Sequence, residues 1–379
     1  MSKQNITKRQ HYITEALLFH FSDSDSKLFE VMLDNKKIYQ TNPNNSMCAN
    51  FIYEDDNLKT NTVEKYFVNM EGEVVALVKN LIENIHKYKK GEVELSTIKK
   101  DIENILPKYI IYYYKSGALL KEFSSINQKE KIPLLLNKIL NHNYVNLLAD
   151  TIKKGYKFAL IESDKDFLLS DQFISTSALK IKSRFFQISN RHIGLKETLI
   201  LIPITSSYYA VYWHSDSDFI TEDNTFKVLK NEEIGQINKT IINNSYIKCV
   251  GEKRERIEEV VEQYQMHSPL QVYAGGNSNG YFAGAIKKKE VFFYKEEEDA
   301  WDMIEFAMFT LYKDLGRNDK CKCKSGKKFK KCHSDAFNRA QTIMKNFGRD
   351  SGSNEYGIPG VIVYELPIDE WSNFDKSKK

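Results

Sequence analysis

Strand-like runs framed by helical periodicities make this an α+β sequence: a mainly helical N-terminal half, an antiparallel or mixed sheet in the middle with flanking helices, and a small cysteine-rich knuckle near the C-terminus. Three observations carry that prediction. Apolar residues recur at helical spacing along 63–85, short β-branched and aromatic runs gather between 156 and 215, and three cysteines crowd into 321–332. With 379 residues the chain can bury a core without disulfides, and its 41% hydrophobic content excludes wholesale disorder.

In chain order, residues 1–10 are polar and read as a mobile N-terminus. An α+β body is expected over 11–315. Its opening stretch, Tyr12 to Phe21, is apolar on one helical face, and LFEVML (28–33) and KIYQ (37–40) read as strands around an Asp34-Asn35 turn. Val63, Phe67, Met70, Val74, Leu77, Leu81 and Ile85 are spaced by threes and fours, which predicts a long amphipathic helix. Helices are also expected over 93–106, where Pro107 stops or kinks the chain, over 108–117 and over 133–153, so that 60–153 is mainly helical. The strand-rich part, 156–215, holds FALIES (158–163), FLLS (167–170), ETLILIPI (197–204) and YYAVYW (208–213). Helical patterns return within 231–315, at 231–243, 253–267 and 296–315, the last with a stripe of Trp301, Ile304, Met308, Leu311, Tyr312 and Leu315. AGGNSNG (274–280) reads as a loop whose glycines match neither Rossmann nor Walker spacing. Beyond a knuckle at 316–334, residues 335–379 are expected to form a C-terminal helix and tail.

The charge balance, 55 basic against 51 acidic residues, is too even to argue from net charge for a nucleic-acid partner. No signal-type h-region opens the chain, and no apolar run reaches the roughly 18 residues of a membrane span, so a cytoplasmic protein with no membrane role is expected. Its odd number of cysteines, five, does not suit a disulfide framework and points to reduced thiols and a metal. Cys48 and Cys249 read as buried small hydrophobes, and His86, His142, His192, His214 and His267 show no paired metal spacing.

The knuckle reads GRNDKCKCKSGKKFKKCHSD. Cys321, Cys323, Cys332 and His333 supply three thiolates and an imidazole, the donor set of a closed tetrahedral zinc site, structural because no position stays open. Ser325-Gly326 lets the chain reverse between the ligand pairs. Lys320 and Lys322, Lys324, Lys327, Lys328, Lys330 and Lys331, with Arg317, make a basic patch against one nearby acid, Asp319, able to dock on phosphates or acidic protein surfaces. Phe329 is the only interleaved aromatic. Residues 316–334 also resemble the SEC-C motif, matching it at Gly316, Arg317, Asn318, Asp319, the four ligands, Ser325, Gly326 and most of the lysines. Lys320, Lys322 and Lys324 depart from the Pro, Pro and Gly that the motif favours. The resemblance implies a zinc-bound docking element for a protein or nucleic acid.

Four pieces of the body, HYITEALLFHF (11–21), TVEKYFVNMEGEV (62–74), DFLLSDQFI (166–174) and LILIPITSSYYAVYW (199–213), resemble the bacterial DUF4238 family over about 10–250. Gln172 and Phe173 stand where that family usually has Asn-Pro. The resemblance implies an architecture and no reaction. Among the residues themselves, His11 at the first helix, Glu64 and Glu71 on one helical face and Asp171 at a strand end form a candidate set for Mg2+ or Mn2+ and a metal-activated water. The function expected first is an accessory or effector protein docking through its zinc knuckle. The alternative is a metal-dependent hydrolase, a nuclease of bacterial or phage defence, centred on His11, Glu71 and Asp171.

Overall fold

A computed structural model of the 379-residue chain describes residues 8–53, 59, 61–115, 142–181, 198–214, 219–264, 270–277, 280–288, 290–305, 309–351 and 361–365. It is an α+β structure. The chain divides into two compact units: the first takes in the described residues up to Thr176 and those of 198–264, the second those of 177–181 and from Leu270 to Glu365.

The first unit opens with a strand where a helix start was expected. β1 (Arg9–His11) pairs antiparallel with β4 (Cys48–Asn50), placing His11 opposite Cys48. The helix expected over Tyr12–Phe21 is reduced to one turn, α1 (Glu15–Leu18), followed by a 3-10 turn at Phe19–Phe21. Burial of Tyr12, Ile13, Leu17, Leu18 and Phe21 accounts for the apolar spacing, because two short turns sink the same residues as one helix. The hairpin is as expected: β2 (Leu28–Met32) and β3 (Lys37–Thr41) pair antiparallel, and the Asp34 and Asn35 side chains accept N–H bonds from Asn35 and Lys37 in the turn.

α2 (Thr62–Lys89) buries Val63, Phe67, Met70, Val74, Val78, Leu81 and Ile85. Val78 takes the inward place expected of Leu77, since a straight helix of 3.6 residues per turn drifts against an alternating three-four spacing. α3 (Leu95–Lys115) runs through Pro107 without ending there. Its last two turns are buried almost all round, Tyr109 to Lys115 included, and that packing outweighs the roughly 3 kcal/mol that an internal proline costs. Of the helix expected over 133–153, α4 (His142–Gly155) is described and 133–141 lies outside the described residues.

β5 (Lys157–Glu162), β6 (Leu169–Ser170), β7 (Ser175–Ala178), β8 (Thr198–Pro203), β9 (Tyr208–Trp213) and β10 (Thr225–Val228) follow. A mixed sheet runs in the order β10-β5-β9-β8-β7, with β5 antiparallel to β9, β9 antiparallel to β8, and β10 parallel to β5. Every residue of β8 and β9 is buried, which explains why these strands read as unbroken apolar runs instead of alternating ones. α5 (Asn231–Asn244), β11 (Lys248–Gly251) and α6 (Arg254–Val261) complete the described part of this unit, and a second sheet has the order β3-β2-β11-β6. Between β6 and β7, Phe173 stands at φ +70°, a conformation closed to proline, so the turn after Asp171 takes a path that Asn-Pro could not follow.

In the second unit β12 (Leu270–Asn277) pairs antiparallel with both β13 (Gly280–Lys288) and β14 (Val361–Glu365). AGGNSNG is therefore largely strand, not loop. Its glycines sit in the ladder beside a register shift between Tyr273 and Gly275, where a residue without a side chain is easily accommodated. The helix expected over 296–315 is described as α7 (Lys295–Glu305) and α8 (Phe309–Tyr312), and α9 (Ser334–Ser351) is the expected C-terminal helix. Trp301, Ile304 and Tyr312 are buried as their stripe predicts, while Leu311 is exposed and Met308 lies outside the described residues. These side chains join Ala178, Ile181, Phe292, Ala336, Phe337, Ala340 and Met344 in one apolar core. Among the described residues no helix is long and apolar enough to cross a membrane.

Candidate metal centre

The loop between α8 and α9 is folded by its own backbone. Gly316 N–H is capped by the Asp319 carboxylate at 2.7 Å, Phe329 N–H reaches Asp319 O at 2.7 Å, Lys330 N–H reaches Arg317 O at 3.0 Å, and Cys321 N–H reaches Lys327 O at 2.8 Å. A single antiparallel bridge joins Lys320 to Lys328. The chain reverses between them with two left-handed residues, Lys324 at φ +65° and Gly326 at φ +73°. The second half returns through a 3-10 turn, Phe329–Lys331, that leads into α9.

This reversal converges four side chains. The Sγ atoms of Cys321, Cys323 and Cys332 and a ring nitrogen of His333 all lie within 4.8 Å of one another. Cys323 Sγ is 3.4 Å from Cys332 Sγ, and His333 Nδ1 is 3.2 Å from both Cys321 Sγ and Cys332 Sγ. A metal with bonds of about 2.0–2.3 Å to nitrogen and sulfur has tetrahedral edges of roughly 3.5–3.8 Å, and these three separations fall within tenths of an ångström of them. Burial pushes the Cys321 thiol up to about 11, whereas hydrogen bonds from the Ser325 side chain and backbone pull Cys323 down to about 6. Cys323 is thus the first of the two to ionise.

Supporting residues emerge to which the sequence reading gave no part in holding the ligands. Tyr312 stacks on His333, with centroids 5.3 Å apart, and on Phe329 at 5.8 Å, while Phe329 meets Phe337 edge-on at 6.0 Å. These rings join the ligand loop to the apolar core, in which Cys321 is itself buried. Ser325, read as a turn residue, also places Oγ 3.1 Å from Cys323 Sγ and 3.3 Å from Cys332 Sγ. A hint lay in the aromatic spacing 312, 329, 337, but only the folded loop brings those rings together.

Arg317, Lys320, Lys322, Lys324, Lys327, Lys328, Lys330 and Lys331 are all exposed, and among the described residues none of them makes an ion pair. The loop therefore presents eight exposed cations that no carboxylate among the described residues pairs with. Phe329 is only 5% exposed, so its ring faces the core and not this surface.

The other candidate residues lie in the first unit. His11 Nε2 is 3.1 Å from Asn44 O, and burial lowers its pKa against smaller opposing effects from that carbonyl and from Glu15. Glu71 Oε1 accepts from Lys115 Nζ at 2.7 Å; the lysine side chain is 1% exposed and its ammonium lies 4.3 Å from the Phe67 ring centroid. Asp171, just past β6, accepts three backbone N–H bonds from Tyr246, Ile247 and Lys248 at 2.9, 2.8 and 3.0 Å. Glu64 begins α2. Among the described residues, the only group of three or more His, Cys, Asp or Glu side chains close enough to hold one ion is the knuckle, and His11, Glu71 and Asp171 do not make a second. Of the remaining thiols, Cys249 is buried as expected, while Cys48 is half-exposed and directs its sulfur to Asn45 O.

Comparison with known families agrees at both ends of the chain. A family model described as a protein of unknown function (DUF4238) matches residues 9–105, and the SEC-C motif model matches 317–335. Of the four body pieces that carried the first resemblance, those at 166–174 and 199–213 lie beyond the matched stretch. No curated protein and no solved structure matches.

Proposed function

We propose that this chain is an accessory or effector protein in which Cys321, Cys323, Cys332 and His333 hold a structural zinc ion and the surrounding lysines dock on an anionic partner, a nucleic-acid backbone or an acidic protein surface. The observation that carries the reading is the convergence of three sulfurs and one imidazole nitrogen within 4.8 Å inside a SEC-C motif. Zinc is favoured over harder cations because the set is thiolate-rich and holds no carboxylate, and four protein donors leave no position for a reacting water. The site accordingly supports folding and not hydrolysis. Free thiols throughout the described chain suit a reducing compartment, and we place the protein in the cytoplasm.

Eight exposed cations on one short loop supply the docking term. Their attraction is electrostatic and unselective, since no aromatic ring is available on that face to stack on a base. A hydrolytic centre at His11, Glu71 and Asp171 is the weaker reading, because the carboxylates of Glu71 and Asp171 already serve Lys115 and three backbone N–H groups.

Two measurements test the proposal. Elemental analysis of the purified chain should find one zinc per molecule. Binding to a short labelled DNA duplex should weaken steeply with added salt, with a log–log slope that loses roughly one unit for each lysine contact removed, as in Lys327→Ala, Lys328→Ala, Lys330→Ala and Lys331→Ala. Salt-independent binding refutes the nucleic-acid form of the reading. Failure to bind DNA, with retention of acidic proteins on the wild-type chain and not on the quadruple variant, selects the protein partner.

A further inference from the structure

The four donors are not equivalent. Cys321 is 5% exposed and sits in the apolar core, and His333 lies beneath the Tyr312 ring. Cys323 is exposed and Cys332 half-exposed. Their sulfurs are 3.4 Å apart, and the Ser325 hydroxyl touches both. Residues 322–328 are exposed without exception, so Cys323 can approach Cys332, which packs against the edge of the apolar core, by movement of an exposed stretch of chain.

We propose that Cys323 and Cys332 are an oxidisable pair, a modification site at which hydrogen peroxide forms a disulfide and releases the metal. This inference rests on the zinc reading above. The step is a two-electron oxidation. The Cys323 sulfur attacks one peroxide oxygen, the O–O bond breaks, and the departing hydroxide takes up a proton to leave as water. The resulting Cys323 sulfenic acid is attacked by the Cys332 sulfur, forming the S–S bond and expelling the second oxygen as water. Each sulfur gives up one electron, and both peroxide oxygens end as water.

Closing this bond leaves Cys321 and His333 as the only donors, too few for a closed tetrahedral site. The loop that carries the lysines then loses its metal brace and is tied by a disulfide across its outer sulfurs instead, so oxidation couples to the docking face. Buried Cys321 is sheltered from the reagent, and Cys249 is fully buried in the first unit.

The experiment uses the full zinc-loaded chain. Zinc is first counted by elemental analysis, peroxide is added in the presence of a chromogenic zinc chelator, and the product is digested for mass spectrometry. The expected result is release of one equivalent of zinc together with a Cys323–Cys332 cross-linked peptide lighter by two hydrogens, both reversed by dithiothreitol and added zinc. A Cys48→Ser, Cys249→Ser variant should behave identically. Zinc retained under peroxide, cross-links that run through Cys321, or oxidation directly to sulfonic acid each overturn the proposal while leaving the zinc reading intact. A chain with no zinc before peroxide overturns the metal reading itself.

Discussion

Tyr312 is the side chain through which the ligand loop leans on its core, lying against both His333 and Phe329. Because residues that orient a ligand from behind tune metal affinity by roughly 10–100-fold, Tyr312→Ala should weaken zinc binding by about that factor in chelator competition. Lys324 works the other way. It holds φ +65°, where a side chain costs about 1 kcal/mol or more, which is the physical reason the motif favours glycine there. Lys324→Gly should therefore tighten zinc in the same assay, by several-fold. In the first unit, Lys115 is buried against Glu71, and burial lowers its pKa from the ordinary 10.5 although Glu71 draws it back up. Glu71→Gln removes that support and should destabilise the fold by about 3–5 kcal/mol in urea unfolding at neutral pH. In that variant the folded state sheds the Lys115 proton while the unfolded chain still holds it. Stability should then rise with pH across the window between the lowered pKa and 10.5, by up to about 1.4 kcal/mol per pH unit.

Among the elements, α2 shows how much of a helix is written in its own residues. Six of the seven inward positions read from the periodicity are buried, and the seventh moves from Leu77 to Val78. Val78→Asp should thus cost several kcal/mol, about 3 or more, while Leu77→Asp should cost less than half as much, a contrast that thermal melts can read directly. α3 makes the opposite point. Pro107 looked like a boundary because local chemistry disfavours it inside a helix, yet buried isoleucines on both sides and buried tyrosines after it carry the helix through. The same holds for β1, β4, β10 and β11. Each is three or four residues long, and their pairing partners lie 37 residues or more away for β1 and β4, as in His11 opposite Cys48, so no local pattern announces them.

For the molecule as a whole, the metal is expected to stabilise one unit and not the other, because the four donors and the core they touch belong to the second unit alone. A chelator should lower one calorimetric transition, with about 4–8 °C for each kcal/mol lost, and leave the transition of the first unit in place. The donor set itself was legible before any coordinates, since Cys-x-Cys and Cys-His lie within thirteen positions and a short chain segment can scarcely keep them apart. Periodicity likewise determined α2, α4, α5 and the buried strands β5, β8 and β9, where apolar residues follow the geometry of a single element. What tertiary structure alone decided is whatever depends on residues far apart in the chain. Tyr312 stacked on His333, Lys115 against Glu71 and Asp171 on the N–H groups of 246–248 are of this kind. A side chain's partner across the fold is chosen by packing, and packing leaves no local period to read.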